Sequence, residues 1–355
     1  GTHRLLQKDV IDASKDFVCI RLTSYESEQE AAFVTRLQGN PVNTVFAILT
    51  PDATPALATK GRVRGPGEDF KDAKNVIAYA FESGLSLPEK AYYLEDTYKP
   101  KRDAFVAHVE RMMVLAGNDA ATAKAQAQTV LAFETRLAKA SLSPIEMRNP
   151  ANQYNFVSLA DADKATPNFN WTEFFKAQGL GSVKGFSLSQ PKFFAEMNTM
   201  IAETPVADWK AYLSYQTLNG ASGFLSDAVS DESFAFYGTT MRGQKEQRPR
   251  WKRVLSTING TMGEALGQIY VEQMFPESSK VQMQALVKNL SLALKARLEK
   301  LDWMSAETKE KALAKWATFD PKIGYPDKWR DYSGLKIDRS KSYLENVLAA
   351  QAFEN

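Results

Sequence analysis

Two apolar stripes constrain the fold of this chain more than any other feature. Ile258, Met262, Ala265, Leu266 and Ile269 recur at i, i+4, i+7, i+8 and i+11, and Met283, Val287, Leu290, Leu294, Leu298 and Leu301 follow at spacings of three and four. Apolar residues at those intervals share one face of a 3.6-residue helix, and such a face is stable only when another element covers it. The same periodicity predicts helices over 101–116, 121–140, 190–202, 206–218, 250–274, 280–301 and 305–318, with Pro and Gly clusters between them. From about Lys71 onward the chain therefore reads as a large multi-helix assembly, without a repeat short enough for a solenoid.

The first seventy residues have a different texture. Asp16 to Leu22 and Asn43 to Leu49 are short runs rich in β-branched and aromatic residues, as expected of buried strands. Between them Ser27 to Leu37 reads as a helix, with Ser27 and Glu30 placed as a capping box. Thr50-Pro51-Asp52 predicts a turn, and Gly61 to Gly67 a linker. This β-α-β layout over residues 1–66 is similar to the thioredoxin-like fold, although dithiol exchange does not carry over because the segment has no Cys-x-x-Cys.

Composition narrows the chemistry. With 44 basic and 42 acidic residues the net charge is +2, so no global field draws the chain to nucleic acid or to an anionic membrane. No apolar run approaches the ~20 residues that span a bilayer, and the N-terminus lacks the hydrophobic core of a signal peptide. The expectation is a soluble chain without an export signal. The lone Cys19 excludes an intrachain disulfide and any Cys-rich zinc cluster. Only His3 and His108 could serve as imidazole ligands. His108 lies on a helical pattern with Phe105, Val109, Met112, Met113 and Ala116 and reads as a partly exposed helix residue; His3 lies in a terminus expected to fray.

A set of sequence blocks identifies a family. Ser83-Gly84-Leu85-Ser86-Leu87-Pro88 with Tyr92-Tyr93-Leu94 comes first, then Leu115-Ala116-Gly117, Phe133-Glu134, Leu137-Ala138, Arg148-Asn149-Pro150, Tyr154-Asn155, Pro167 to Trp171 and Trp209 to Leu213. Phe234 to Gln244, Arg248 to Val254, Gly263 to Pro276, Leu301 to Lys309 and Lys322 to Trp329 complete the series. In this order and spacing the blocks resemble the neprilysin-like M13 zinc metallopeptidases.

The resemblance implies a mainly α fold: a multi-helix M13 N-terminal-type domain over 71–330, preceded by the small α/β unit and followed over 331–355 by a lead-in to a catalytic domain. In the family this helical region closes over the catalytic domain and leaves a cavity that admits peptides and excludes folded proteins. The zinc site comes later, after an Asn-Ala-Tyr/Phe-Tyr segment, in His-Glu-x-x-His and Glu-x-x-x-Asp motifs. Neither the Asn-Ala-Tyr/Phe-Tyr segment nor His-Glu-x-x-His occurs in the 355 residues. No catalytic or metal-binding residue of the family is therefore assigned to a position here, and the substrate-binding residues are left open. The chain is expected to bind no cofactor by itself, zinc belonging to the complete enzyme, and to be inactive without the missing catalytic half. A family Asp-Asp-Phe-Tyr motif expected ahead of Ser83 is matched only by Glu68-Asp69-Phe70, so the chain reads as a helical region cut at both ends and joined to a foreign module. Its compartment would be extracytoplasmic by resemblance alone. The alternative is a non-catalytic helical module that binds peptides or proteins.

Local clusters read as architecture. Arg242, Lys245, Arg248, Arg250, Lys252 and Arg253 surround Pro249 and Trp251; they could hold a carboxylate, but a Pro-Arg-Trp helix entry with Arg residues pairing to acidic neighbours accounts for them. Glu264 reads as a hydrogen-bonding group, with Gly263 and Gly267 admitting a close helix, while Glu272 has no partner for acid–base work. Lys322 to Asp327 predicts a turn. Helices that evolved to meet a catalytic domain should leave apolar surface exposed.

Overall fold

The structure, a computed structural model, describes residues 47–49, 55–58, 64–71, 76–177 and 179–354. The strand expected at 16–22, the helix at 27–37, Cys19 and His3 lie outside the described residues, as does most of the strand expected at 43–49. Its end, β1 (Ala47–Leu49), pairs antiparallel with β2 (Pro55–Ala58). Contacts divide the chain into two compact units, and among the described residues the first ends at Gln247 and the second begins at Arg248.

The first unit combines helices with a small mixed sheet. β3 (Arg64–Glu68) runs antiparallel to β4 (Val76–Ala80), β4 pairs in parallel with β6 (Gly185–Leu188), and β5 (Phe156–Ser158) closes the order β3-β4-β6-β5 antiparallel to β6. Two expectations are corrected here. The stretch Gly61 to Gly67 is not wholly a linker, because its second half enters β3. The chain beyond Lys71 is not uniformly helical, because β4, β5 and β6 interrupt it. These strands are too short to show an alternating pattern, and β6 is buried along its whole length, so periodicity gives no signal. Gly185 permits the tight β5–β6 approach: a Cβ there would stand 2.5 Å from the Val157 carbonyl oxygen and 2.8 Å from the Phe156 ring.

Around the sheet lie α1 (Lys99–Leu115), α2 (Ala120–Ala140), α3 (Leu159–Ala165), α4 (Trp171–Ala177), α5 (Pro191–Glu203), α6 (Val206–Ala221) and α7 (Asp227–Ser233), which runs into a π-helical turn at Phe234–Thr240. Local chemistry sets several boundaries. Asp119 caps α2 by accepting the Thr122 N–H at 3.0 Å, and Ser158 caps α3 through the Asp161 N–H at 3.1 Å. Ser143 and Glu146 form a reciprocal capping box on the single turn Pro144–Met147. One core joins α1, α2, α6 and the π-turn through Phe105, Met112, Val130, Tyr215 and Phe236; another joins α2, α4, α5, α6 and the sheet through Phe133, Trp171, Phe175, Phe186, Phe194 and Tyr212. Phe133 stacks on Tyr212 with ring centroids 4.0 Å apart.

The second unit contains α8 (Arg250–Thr261), α9 (Gly263–Met274), α10 (Glu277–Lys300), α11 (Ala306–Ala317) and α12 (Tyr343–Glu354). The single helix expected over 250–274 is two: Met262, at φ −143° and ψ 39°, leaves helical geometry. Gly260 and Gly263 on either side lower the cost of that break. Few side chains here are fully buried, among them Leu255, Leu266, Val347 and Ala350. Along α10 the expected stripe is half uncovered: Met283, Leu290 and Leu294 are exposed, Leu290 to 61%, as is Leu286 beside it, while Val287, Leu298 and Leu301 are partly buried. One flank of α10 does pack on α11, where the Trp316 indole donates to the Ser291 carbonyl at 2.9 Å.

Candidate functional site

The Ser83 to Pro88 loop is tied down by one buried carboxylate. Glu134 sits on the α2 face that carries Val130, Phe133, Leu137 and Ala138, and it is fully buried. Its Oε2 accepts from the Ser86 N–H at 2.9 Å and the Tyr93 hydroxyl at 2.6 Å; its Oε1 accepts from the Ser86 hydroxyl at 2.7 Å and the Gln216 amide at 2.6 Å. The Leu87 N–H donates to the Tyr93 oxygen at 2.8 Å, and the Tyr212 hydroxyl donates to the Gly84 carbonyl at 2.9 Å. Gly84 takes φ 100°, a left-handed backbone that glycine allows without a steric penalty. The loop is thus held by α2, by α6 and by the one-turn helix Ala91–Leu94.

Electrostatics at Glu134 are a balance. Burial pushes its carboxyl up to about 7, against the hydrogen bonds from Tyr93, Ser86 and Gln216, which favour the charged form. Burial, and then the Glu134 charge, hold the Tyr93 phenol well above its ordinary value. Because Glu134 is sealed from solvent it cannot meet a substrate, and its chemistry is that of a fastening.

His108 departs from expectation. It is fully buried, not partly exposed. The reason is geometric: His108 lies three residues after Phe105 and four before Met112, inside the apolar stripe that α1 turns to the core. Its Nδ1 lies 2.8 Å from Glu232 Oε1, and Arg111 Nε donates to Glu232 Oε2 at 2.8 Å. The ring stacks on Phe236 at 4.6 Å between centroids and meets Tyr215 and Tyr237 edge-on.

In the second unit the turn after α11 is architectural, as its Gly and Pro imply. Lys280 donates to the Tyr325 carbonyl at 2.9 Å and to Asp327 at 2.7 Å, with its ammonium 4.2 Å from the centre of the Tyr325 ring. Tyr325 stacks on Trp329 at 5.7 Å. Glu264 accepts the Arg330 N–H at 2.8 Å, a structural hydrogen bond. Of the paired glycines, Gly267 faces the Trp329 ring, where a Cβ would come within 3.3 Å, whereas Gly263 meets nothing within 4 Å. The basic residues Arg248, Arg250, Lys252 and Arg253 lie at the start of α8 behind Pro249; Arg253 donates to the Arg248 carbonyl at 3.2 Å, and the Lys252 ammonium lies 5.4 Å from the Trp251 ring centre. Between α10 and α11 lies a shallow groove lined by Val287, Ser291, Leu292, Trp316 and Ile323.

Glu134 belongs to a sequence block that carries no role for it, and Gln216 belongs to none of the blocks. The available signal was a carboxylate on an apolar helical stripe, which must find donors if it is buried.

These residues do not fit a zinc centre. Among the described residues no three His, Cys, Asp or Glu side chains converge on a point that could hold a metal, and His108 spends Nδ1 on Glu232. Also among the described residues, no helix is long and apolar enough to cross a membrane.

Comparison with known proteins places this architecture. A model of peptidase family M13 matches residues 57–326, beginning ahead of the Ser83 block and inside the stretch expected to belong to the separate N-terminal unit. The chain is 27% identical over 306 residues to an endothelin-converting enzyme homolog of Locusta migratoria, covering 81% of this chain and 42% of that protein. It is 26% identical over 310 residues to neprilysin-2 of Drosophila melanogaster, covering 81% and 40%. Among solved structures it resembles the Mycobacterium tuberculosis zinc metalloprotease Zmp1 in its open state, with a TM-score of 0.73 and 27% identity over 99% of this chain and 53% of that one. The inhibitor complex of Zmp1 gives a TM-score of 0.71 and 31% identity over 82% and 44%. The chain spans about two fifths of the length of these curated relatives. A family match across most of the chain, on a mainly helical scaffold with a small mixed sheet, establishes that the chain belongs to peptidase family M13.

Proposed function

We propose that this chain supplies the helical, substrate-enclosing region of a neprilysin-like zinc metalloendopeptidase, with residues 71–330 as the enclosing part and peptides as the substrates of the complete enzyme. The observation that supports it is the continuous family match over residues 57–326. The zinc-metalloprotease relatives lend the reaction class, peptide-bond hydrolysis, and in this reading the metal and the general base come from a catalytic half outside these residues. What these residues contribute is a rigid wall: the Glu134 fastening fixes the Ser83 to Pro88 loop against α2 and α6.

The test uses the 355-residue chain with zinc and a quenched fluorescent peptide. Expected are no turnover and no stoichiometric zinc retention by the chain alone; turnover abolished by a chelator would overturn the proposal. The transcript read across both ends of this frame supplies the second test, since the reading expects it to continue into His-Glu-x-x-His. A second reading, a non-catalytic module that binds peptides or proteins, draws support from the exposed apolar side of α10. A transcript without the zinc motif, together with peptide binding by the chain, would favour it.

A further inference from the structure

We propose that the His108–Glu232–Arg111 contact is an acid-released fastening: protonating His108 puts a cation into an aromatic pocket and frees the Asp227–Thr240 segment from α1. The geometry carries the argument. Glu232 is held as a carboxylate; burial pushes it up, but hydrogen bonds from His108 and Arg111 outweigh that and keep it below its ordinary value. A carboxylate 2.8 Å from Nδ1 requires that nitrogen to carry the hydrogen. Nε2 is then the bare nitrogen of a neutral imidazole. It is buried and has no hydrogen-bond partner in the protein. Acidification adds a proton there, creating a donor with no partner and a charge whose burial outweighs the attraction of Glu232.

The groups that face His108 come from each element packed on it. Glu232 of α7 attracts the charged ring, Arg111 on its own helix repels it, and Tyr215 of α6 and Tyr237 of the π-turn present phenols that burial holds in the neutral form. Stacking on Phe236 gives an imidazolium some cation–π attraction. Burial is nevertheless the largest influence and pushes the His108 imidazole below its ordinary value, so the neutral ring is the one that fits. The sign follows: the stability from this contact is complete above the unfolded imidazole range and is lost as pH falls toward the folded value.

What the contact fastens is one continuous helical segment. Glu232 lies one residue before the end of α7, which continues into the π-turn carrying Phe236 and Tyr237. Helical turns with i+5 bonds are rare and recur at functional sites. Within this segment Gly238 lets the turn close on Phe234, where a Cβ would stand 2.4 Å from the ring.

Hydrogen exchange of the full chain at pH 7.5 and 5.5, corrected for intrinsic rates, tests this. Peptides covering 227–240 should open several-fold faster in acid, relative to α11 peptides, and this acceleration should vanish in His108→Asn, whose amide nitrogen takes the place of Nδ1 and keeps a donor to Glu232. Equal acceleration in the variant, or none in the parent, overturns the proposal. If the variant does not fold, an NMR titration of the parent decides the matter. The chain has two histidines; the His108 signal, identified as the one kept in a His3→Asn sample, must titrate below the ordinary imidazole value of 6.5. A His108 midpoint at or above 6.5 rejects the fastening.

Discussion

Tyr93 gives its phenolic hydrogen to Glu134 Oε2 at 2.6 Å across a separation of 41 residues. This bond links the loop bearing the family's first sequence block to the middle of α2, and the loop residue Ser86 and Gln216 of α6 converge on the same carboxylate. Its partners among the described residues are hydrogen-bond donors, Tyr93, Ser86 and Gln216, and this makes the arrangement sensitive to the loss of any of them.

Glu134→Ala removes the common acceptor and strands buried donors of Ser86, Tyr93 and Gln216. The expected loss is about 2–4 kcal/mol, since each unsatisfied buried group costs roughly 1–3 kcal/mol and relaxation recovers part of it. Urea unfolding followed by far-UV dichroism measures it; a midpoint equal to that of the parent would mean the loop is held by other contacts.

The pH dependence of this site has a definite sign. Its folded value of about 7 lies above the ordinary 4.5, so the folded chain holds the proton more tightly and stability falls as pH rises between those values. The Glu134 contribution is complete below 4.5 and lost as pH rises through about 7. Glu134→Gln cannot titrate, and its stability profile between pH 5 and 7.5 should lack this downward slope. Comparing the two profiles checks the assignment, and an unchanged slope points to another group. His108 acts with the opposite sign over neighbouring pH, so the comparison is best made against His108→Asn as well.

Two glycine substitutions should move stability in opposite directions. Gly185→Ala forces a methyl group into the Val157 carbonyl and the Phe156 ring, separating β5 from β6 at an expected cost of about 1–3 kcal/mol. Gly220→Ala in α6 meets nothing within 4 Å, and it should be neutral or stabilising by up to about 1 kcal/mol. Thermal denaturation of the two variants is sufficient. A harmless Gly185→Ala would show that the sheet tolerates a wider spacing.

The uncovered face of α10 should bind a hydrophobic dye and drive concentration-dependent association of the chain. Replacing Leu286, Leu290 and Leu294, all exposed, with Glu should suppress both effects while changing unfolding stability by about 0.5 kcal/mol or less. Dye fluorescence and light scattering at several concentrations report the outcome. A parent that stays monomeric and dark to the dye contradicts this reading.

The sequence alone determined what repeats along the chain. Spacing at three and four located the helices from α1 to α11 that are long enough to show a period, and ordered motif blocks carried the family, because both are local properties of consecutive residues. Tertiary structure decided what depends on partners distant in sequence. The β4–β6 pairing joins strands about a hundred residues apart, and neither strand is long enough to reveal itself. Met262 ends one helix and Gly263 begins another although the apolar stripe runs on through both. Glu134 and His108 occupy stripe positions that the pattern reserves for apolar residues, and only their distant partners, Ser86 and Gln216 for one and Glu232 for the other, explain why polar groups can stay there. A hydrogen bond needs a partner in space, which one-dimensional periodicity does not encode.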